Sequence, residues 1–125
     1  MLTLIKTEDA PAAIGPYAQA IGANGVVYCS GQIPINPKSG NIEVVGAAEQ
    51  TMQVLLNLRA VLEAAGSGLN KVVKTTVFLT DIGDFPVVNK VYAEMFGTHT
   101  PARSTVQVAR LPKSAKVEIE AIAVK

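Results

Sequence analysis

The chain has no tryptophan, a single cysteine and a single histidine. Each scarcity removes a class of chemistry. One cysteine, Cys29, cannot form an intrachain disulfide, so the expected setting is a reducing compartment. That means the cytoplasm, or the mitochondrial matrix if a presequence was removed. One histidine, His99, cannot make a His-pair metal site, and Cys/His zinc spacing is missing. No glycine-rich phosphate loop, G-x-S-x-G run or Schiff-base lysine motif is present. Aromatic residues make up 5% of the chain and the formal net charge is +1. A nucleic-acid surface needs a basic stripe or exposed aromatics in a basic groove, and neither is present. No apolar run approaches the ~20 residues of a membrane helix.

What is present is apolar and patterned. The 125 residues, 49% of them hydrophobic, suit one domain spanning 1–125, with ample material for a core. Met1 to Lys6 reads as an edge strand. Tyr17–Ile21 and Val26–Ser30 read as a hairpin around Ala23-Asn24-Gly25. Ala47 to Ala65 places Val54, Leu55, Leu58, Val61 and Leu62 at helical spacing, with Gly66 where a C-terminal cap belongs. Val72–Leu79 is β-branched and strand-like. Asp84 is the expected N-cap of a second helix, with Pro86 in its first turn and Gly97 at its end. Two last strands follow, joined through Leu111-Pro112-Lys113.

The resulting order, β-β-β-α-β-α-β-β, is an α+β domain. Two helices can cover only one face of such a sheet. In the last strand Val117, Ile119, Ala121 and Ala123 point one way, and Glu118, Glu120, Ile122 and Val124 the other. The second set is not purely polar, so the uncovered face is expected to pack against other subunits.

Arg103 opens the first of the two closing strands, on the same face as Thr105. Guanidinium can grip a carboxylate with two parallel hydrogen bonds. Glu118, on what reads as a neighbouring strand, could handle a proton or a water. Together they suggest a site for a small anion that reacts with water. The plainer alternative is an interface ion pair among Arg103, Lys116, Glu118 and Glu120. Tyr17, after the Gly15-Pro16 turn, reads first as a packed ring bonded to backbone. Ser30-Gly31-Gln32 ends a strand and opens main-chain groups to a loop. Asn89 lies off the main stripe of the second helix and reads as solvated. Cys29 reads as a small core residue and His99 as a loop residue.

Several runs together resemble one family along nearly the whole chain. They are Ala10-Pro11-Ala12-Ala13-Ile14-Gly15-Pro16-Tyr17, Ser30-Gly31-Gln32-Ile33-Pro34, Val73-Lys74-Thr75-Thr76-Val77-Phe78-Leu79, Asp84-Phe85 with Val88-Asn89 and Val91-Tyr92, Pro101-Ala102-Arg103-Ser104, Arg110-Leu111-Pro112, and Val117-Glu118-Ile119-Glu120-Ala121-Ile122-Ala123. The combination resembles the RidA family, also called YjgF, of reactive-intermediate imine deaminases. The resemblance implies a chorismate-mutase-like fold, a mixed sheet with two helices on one face. It implies a homotrimer with clefts between subunits. It also implies cofactor-free, metal-free hydrolysis of 2-imino acids, or their enamine tautomers, to 2-keto acids and ammonia. Arg103 matches the carboxylate-holding arginine and Glu118 the residue that positions water. Tyr17 and the Gly31 main chain match pocket groups, with Ser30 and Asn89 nearby. One departure stands out. Where the family most often has cysteine two residues after the arginine, this chain has Thr105, so no thiol nucleophile is available there.

Two other readings compete with the deaminase. One is a trimeric, non-catalytic binder of small acids, or a chaperone-like module. The other is a ribonuclease or translation inhibitor, against which the near-neutral charge and lone histidine weigh.

Overall fold

A computed structural model describes residues 1–125. Eight main elements follow the expected order: β1 Leu2–Ile5, β2 Ala20–Ala23, β3 Val26–Gln32, α1 Ala47–Ala64, β4 Val72–Leu79, α2 Phe85–Phe96, β5 Ala102–Gln107 and β6 Val117–Val124. Short 3-10 turns at Leu69–Lys71, Ile82–Asp84 and Pro112–Ser114 link some of them. All six strands form one sheet in the order β1-β2-β3-β6-β4-β5.

The ladder is antiparallel except for β4 against β5, which is parallel. Parallel neighbours cannot be joined by a tight turn, so the chain crosses over through α2. The path from β3 to β4 crosses through α1 in the same way, and β6 then inserts between those two strands. Both helices therefore lie on one face. Val54, Leu55, Leu58, Val61 and Leu62 of α1 are fully buried, opposite Val117, Ile119 and Ala123 of β6 and Val72, Val77 and Leu79 of β4.

Local chemistry fixes the turns. Asn24 and Gly25 both hold positive φ, at 53° and 78°, which gives the turn that matches hairpin twist. Gly66, at φ 79°, ends α1. Its N–H donates to the Glu63 carbonyl and that of Ser67 to Leu62, so two otherwise orphaned carbonyls are satisfied.

Four expectations need correction. The hairpin's first strand begins at Ala20 rather than Tyr17, because residues 17–19 bond loop backbone and the bulged end of β3 at Ser30 rather than forming regular ladder pairs. β3 continues past Ser30 to Gln32 through a bulge. Asp84 makes no side-chain cap. The preceding 3-10 turn leads directly into α2, Asp84 is already helical, and Asp81 caps that turn by accepting from Gly83 N–H at 2.8 Å. Most consequentially, β5 and β6 are not neighbours, because β4 lies between them.

The face opposite the helices carries Tyr28, Val106 and Val124, which are 49%, 41% and 41% exposed. Glu118, Glu120 and Ile122 share that face, since they alternate with buried Val117, Ile119, Ala121 and Ala123. No helix is long and apolar enough to cross a membrane. His99 bonds the Val72 carbonyl through Nε2 at 2.6 Å, so that nitrogen carries the proton.

Cys29 is buried, and burial pushes its thiol up to about 12. A thiol reagent at about pH 8 should leave the native protein unlabelled and react promptly once denaturant is added, because thiolate is the reactive form. Rapid labelling of the native protein would contradict this burial.

Candidate active site

The seven residues singled out in the sequence fall into two clusters. The first lies at the β5 edge, under α2. The β4–β5 register sets Arg103 opposite Thr75 and Thr105 opposite Val77. Thr75 and Val77 are buried on the helix side, so Arg103 and Thr105 also face that way. Arg103 Nη1 donates to Asn89 Oδ1 at 2.9 Å. Its guanidinium carbon lies 4.7 Å from the Tyr92 ring centroid and 5.4 Å from that of Phe85. Phe85, Asn89 and Tyr92 are spaced i, i+4, i+7 on α2 and so present one stripe to the arginine. Asn89 is therefore not simply solvated. Tyr92 is not among the candidate site residues that the sequence offers.

One hydrogen bond to Asn89 commits a single donor of a group that carries five. The rest of the fork can hold an anion. Burial pushes the Tyr92 phenol up, opposed in part by its bond to Thr75 and by the charge and hydrogen bonding of Arg103.

The second cluster lies where β3 and β6 meet the loop after β1. In the bulge, Ser30 and Gly31 together oppose Glu120, because Cys29 pairs with Ala121 and Gln32 with Ile119. A bulge takes backbone out of the regular ladder, which frees Gly31. Gly31 also makes room for Glu118, since a Cβ there would lie 2.8 Å from the carboxyl carbon. Ser30 Oγ donates to the Ala18 carbonyl at 2.6 Å, and Ser30 N–H to that of Gln19 at 3.0 Å. These bonds pin the Tyr17 loop to β3. Tyr17 O–H accepts from Ile14 N–H at 3.4 Å and its ring is half exposed. A cavity of about 200 Å³ lies between Tyr17, Gly31, Glu118 and the apolar residues Ile14, Ile33 and Pro112.

Buried Gln19, another residue the sequence did not flag, holds this corner together. Its side chain accepts from Thr7 N–H at 2.7 Å and donates to the carbonyls of Thr7 and Pro11 at 3.0 and 2.8 Å. A lone glutamine among small residues carries no motif, so only the structure reveals its role.

Glu118 does not reach Arg103 within the protomer. The register places them three residues apart along β4 and two strand spacings apart across it. That is roughly 14 Å between Cα atoms, at ~3.3 Å per residue and ~4.8 Å per strand. They also face opposite sides of the sheet, so the ion pair considered as an alternative does not form within one chain.

Burial raises the Glu118 carboxyl above its ordinary value of 4.5, and the charge of Glu120 raises it further. In a carboxyl NMR titration the Glu118 midpoint should move down in Glu120→Gln, because a like charge has been removed. A midpoint that stays in place or moves up would contradict this environment.

Known proteins are similar to the chain in sequence and in fold. A family model described as endoribonuclease L-PSP matches residues 7–125. The chain is 54% identical over 125 residues to a RutC family protein of Pyrococcus horikoshii, covering 100% of this chain and 99% of that one. It is 52% identical over 128 residues to the 2-iminobutanoate/2-iminopropanoate deaminase of Escherichia coli K12, again covering 100% and 99%. The crystal structure of Escherichia coli TdcF with bound serine superposes with a TM-score of 0.94 at 46% identity, covering 98% of each chain. Matched over nearly its whole length in sequence and in fold, the chain belongs to the endoribonuclease L-PSP family, the group of the RidA and YjgF proteins.

Proposed function

We propose that the protein hydrolyses 2-imino acids of the 2-iminobutanoate and 2-iminopropanoate type to 2-keto acids and ammonia. The observation that carries this reading is the Arg103 guanidinium, fixed by Asn89 and two aromatic rings with the rest of its fork uncommitted. A planar fork of this kind suits the carboxylate of a 2-imino acid. The deaminase name of the Escherichia coli relative and the serine bound by TdcF both point to small amino-acid-derived ligands.

The site is a composite of two subunits in this reading. Arg103, Asn89 and Thr105 of one protomer face Tyr17, Ser30, Gly31 and Glu118 of the next. Support comes from the opposite orientations of Arg103 and Glu118, and from the apolar sheet face left without helical cover. A homotrimer closes such a head-to-tail arrangement into a ring. Arg103 orients the substrate and balances its charge. Glu118, with its raised proton affinity, takes a proton from water as the oxygen bonds to the imine carbon. Glu118 then returns that proton to the amine of the carbinolamine, the C–N bond breaks to release ammonia, and the carboxylate accepts the hydroxyl proton as the keto carbonyl forms. A protonated imine is already electrophilic, so placement of the water supplies most of what the reaction needs. Tyr17 and the Gly31 main chain line the cleft, and the Ile14, Ile33 and Pro112 wall accommodates a short alkyl chain. Thr105 keeps a hydroxyl beside Arg103 and supplies no nucleophile.

The test is ammonia and keto-acid release, coupled to a pyridoxal-phosphate enzyme that dehydrates threonine. Arg103→Ala should lower kcat/KM by more than ~100-fold, as expected for losing a charge-assisted bidentate contact, and Arg103→Lys should restore little. Glu118→Gln should lose kcat while still binding 2-ketobutyrate. If the parent protein binds 2-ketobutyrate but releases no ammonia, the non-catalytic binder is the better reading. If Arg103→Ala binds 2-ketobutyrate as tightly as the parent by calorimetry, the carboxylate assignment is wrong.

A further inference from the structure

We infer that Tyr92 is a positioning residue for the anion-gripping arginine, holding the Arg103 guanidinium in place by its ring face while a buried hydrogen bond to Thr75 fixes the ring. The inference rests on the carboxylate role proposed above for Arg103.

The geometry converges from three directions. Thr75 of β4 and Arg103 of β5 are direct register partners on the helix side of the sheet. Tyr92 of α2 lies over that pair. Its O–H is 2.7 Å from Thr75 Oγ1, and its ring centroid is 4.7 Å from the Arg103 guanidinium carbon. Both Thr75 and Tyr92 are buried, at 0% and 7% exposure. A hydrogen bond closed between two buried hydroxyls leaves the ring little freedom to turn. Phe96 packs against the ring at 4.5 Å between centroids and limits it from another direction.

An arginine at a sheet edge has many rotamers, and holding one of them costs entropy when an anion binds. A guanidinium over an aromatic face is attracted by the ring quadrupole without spending its in-plane donors. Asn89 takes one of those donors, the Tyr92 hydroxyl also lies within reach of the guanidinium, and the ring face takes none. Most of the fork therefore remains available for a carboxylate. Leucine at 92 would fill part of the space but offer no face to a cation.

The test compares Tyr92→Leu and Tyr92→Phe in the full-length protein. 2-Ketobutyrate Kd is measured by calorimetry, and KM and kcat in the coupled assay. The grip on the carboxylate is the same in ground and transition states, so the ring's contribution should appear in Kd and KM. Tyr92→Leu should raise both by ~3–30-fold, the range expected for a partly desolvated cation–π contact, with kcat changed less than ~3-fold. Tyr92→Phe keeps the face and should stay within about threefold of the parent. Should Tyr92→Leu fail to fold, Tyr92→Met makes the same comparison. Parent-like Kd and KM in the ring-less variant would overturn the inference. So would a loss in Tyr92→Phe as large as in Tyr92→Leu: Phe96 still confines a phenylalanine ring, so the hydroxyl and not the face would then be responsible. Arg103→Ala, run alongside, separates the two levels. If it too binds like the parent, the carboxylate reading has failed and not merely the role of Tyr92.

Discussion

A strand residue faces one side of its sheet or the other, and that parity governs everything proposed for this protein. Arg103 pairs with buried Thr75 and so looks toward α2. Glu118 sits between buried Val117 and Ile119 and so looks away from both helices. A shift of one residue in β6 would reverse the face of Glu118 but would also turn that strand's core residues outward. Val117, Ile119, Ala121 and Ala123 are all buried, so β6 cannot slip. The proposed acid–base group and the proposed anion-binding group are thus separated by the same packing that stabilises the fold. A site that joins them would need a second chain.

The two half-sites are rigid for different reasons. On the α2 side, rigidity comes from a helix stripe: Phe85, Asn89 and Tyr92 meet one guanidinium, and the helix is anchored by buried Val88 and Phe96. On the β3 side, it comes from polar side chains that tie down irregular backbone. Gln19 holds the segment around Thr7–Pro11, and Ser30 holds Ala18. Asn57 of α1 donates to the carbonyls of Ile33 and Ile35 at 3.2 and 2.9 Å, which fixes the loop behind the cavity. No buried side-chain polar atom is left without a partner. Loops can line a site only when their backbone groups are satisfied in this way.

Much of this was legible in the sequence. The periodicity of 47–65, the β-branched run Val72–Leu79, and the glycines at 25, 66 and 97 located the elements to within a few residues. Alternation in Val117–Val124 correctly separated the two faces of β6. Strand order was not legible. Local patterns say that two strands exist, but not that β4 separates β5 from β6, which is decided by where the α2 crossover lands. The same limit hid the site's partition. Arg103 and Glu118 were chosen for their chemistry, and only long-range pairing shows that they face apart. Asn89 was misjudged and Tyr92 went unmarked because helical spacing reports burial, not what a buried tyrosine's ring face or an asparagine's carbonyl will meet. Gly31 was noticed for its position after a strand. Its closeness to the Glu118 carboxylate depends on the bulge, which leaves no local signature.

The most direct test of the composite site mixes two variants that are each inactive alone. Arg103→Ala and Glu118→Gln chains, differently tagged, would be co-expressed in equal amounts, and assemblies carrying both tags purified and assayed for imine hydrolysis. At one interface the intact Arg103 of one chain can face the intact Glu118 of the other. Every mixed assembly of a head-to-tail trimer has one intact site in three, so the purified mixture should recover about one third of the parent activity. Mixed assemblies as inactive as either variant alone would contradict a site shared between protomers.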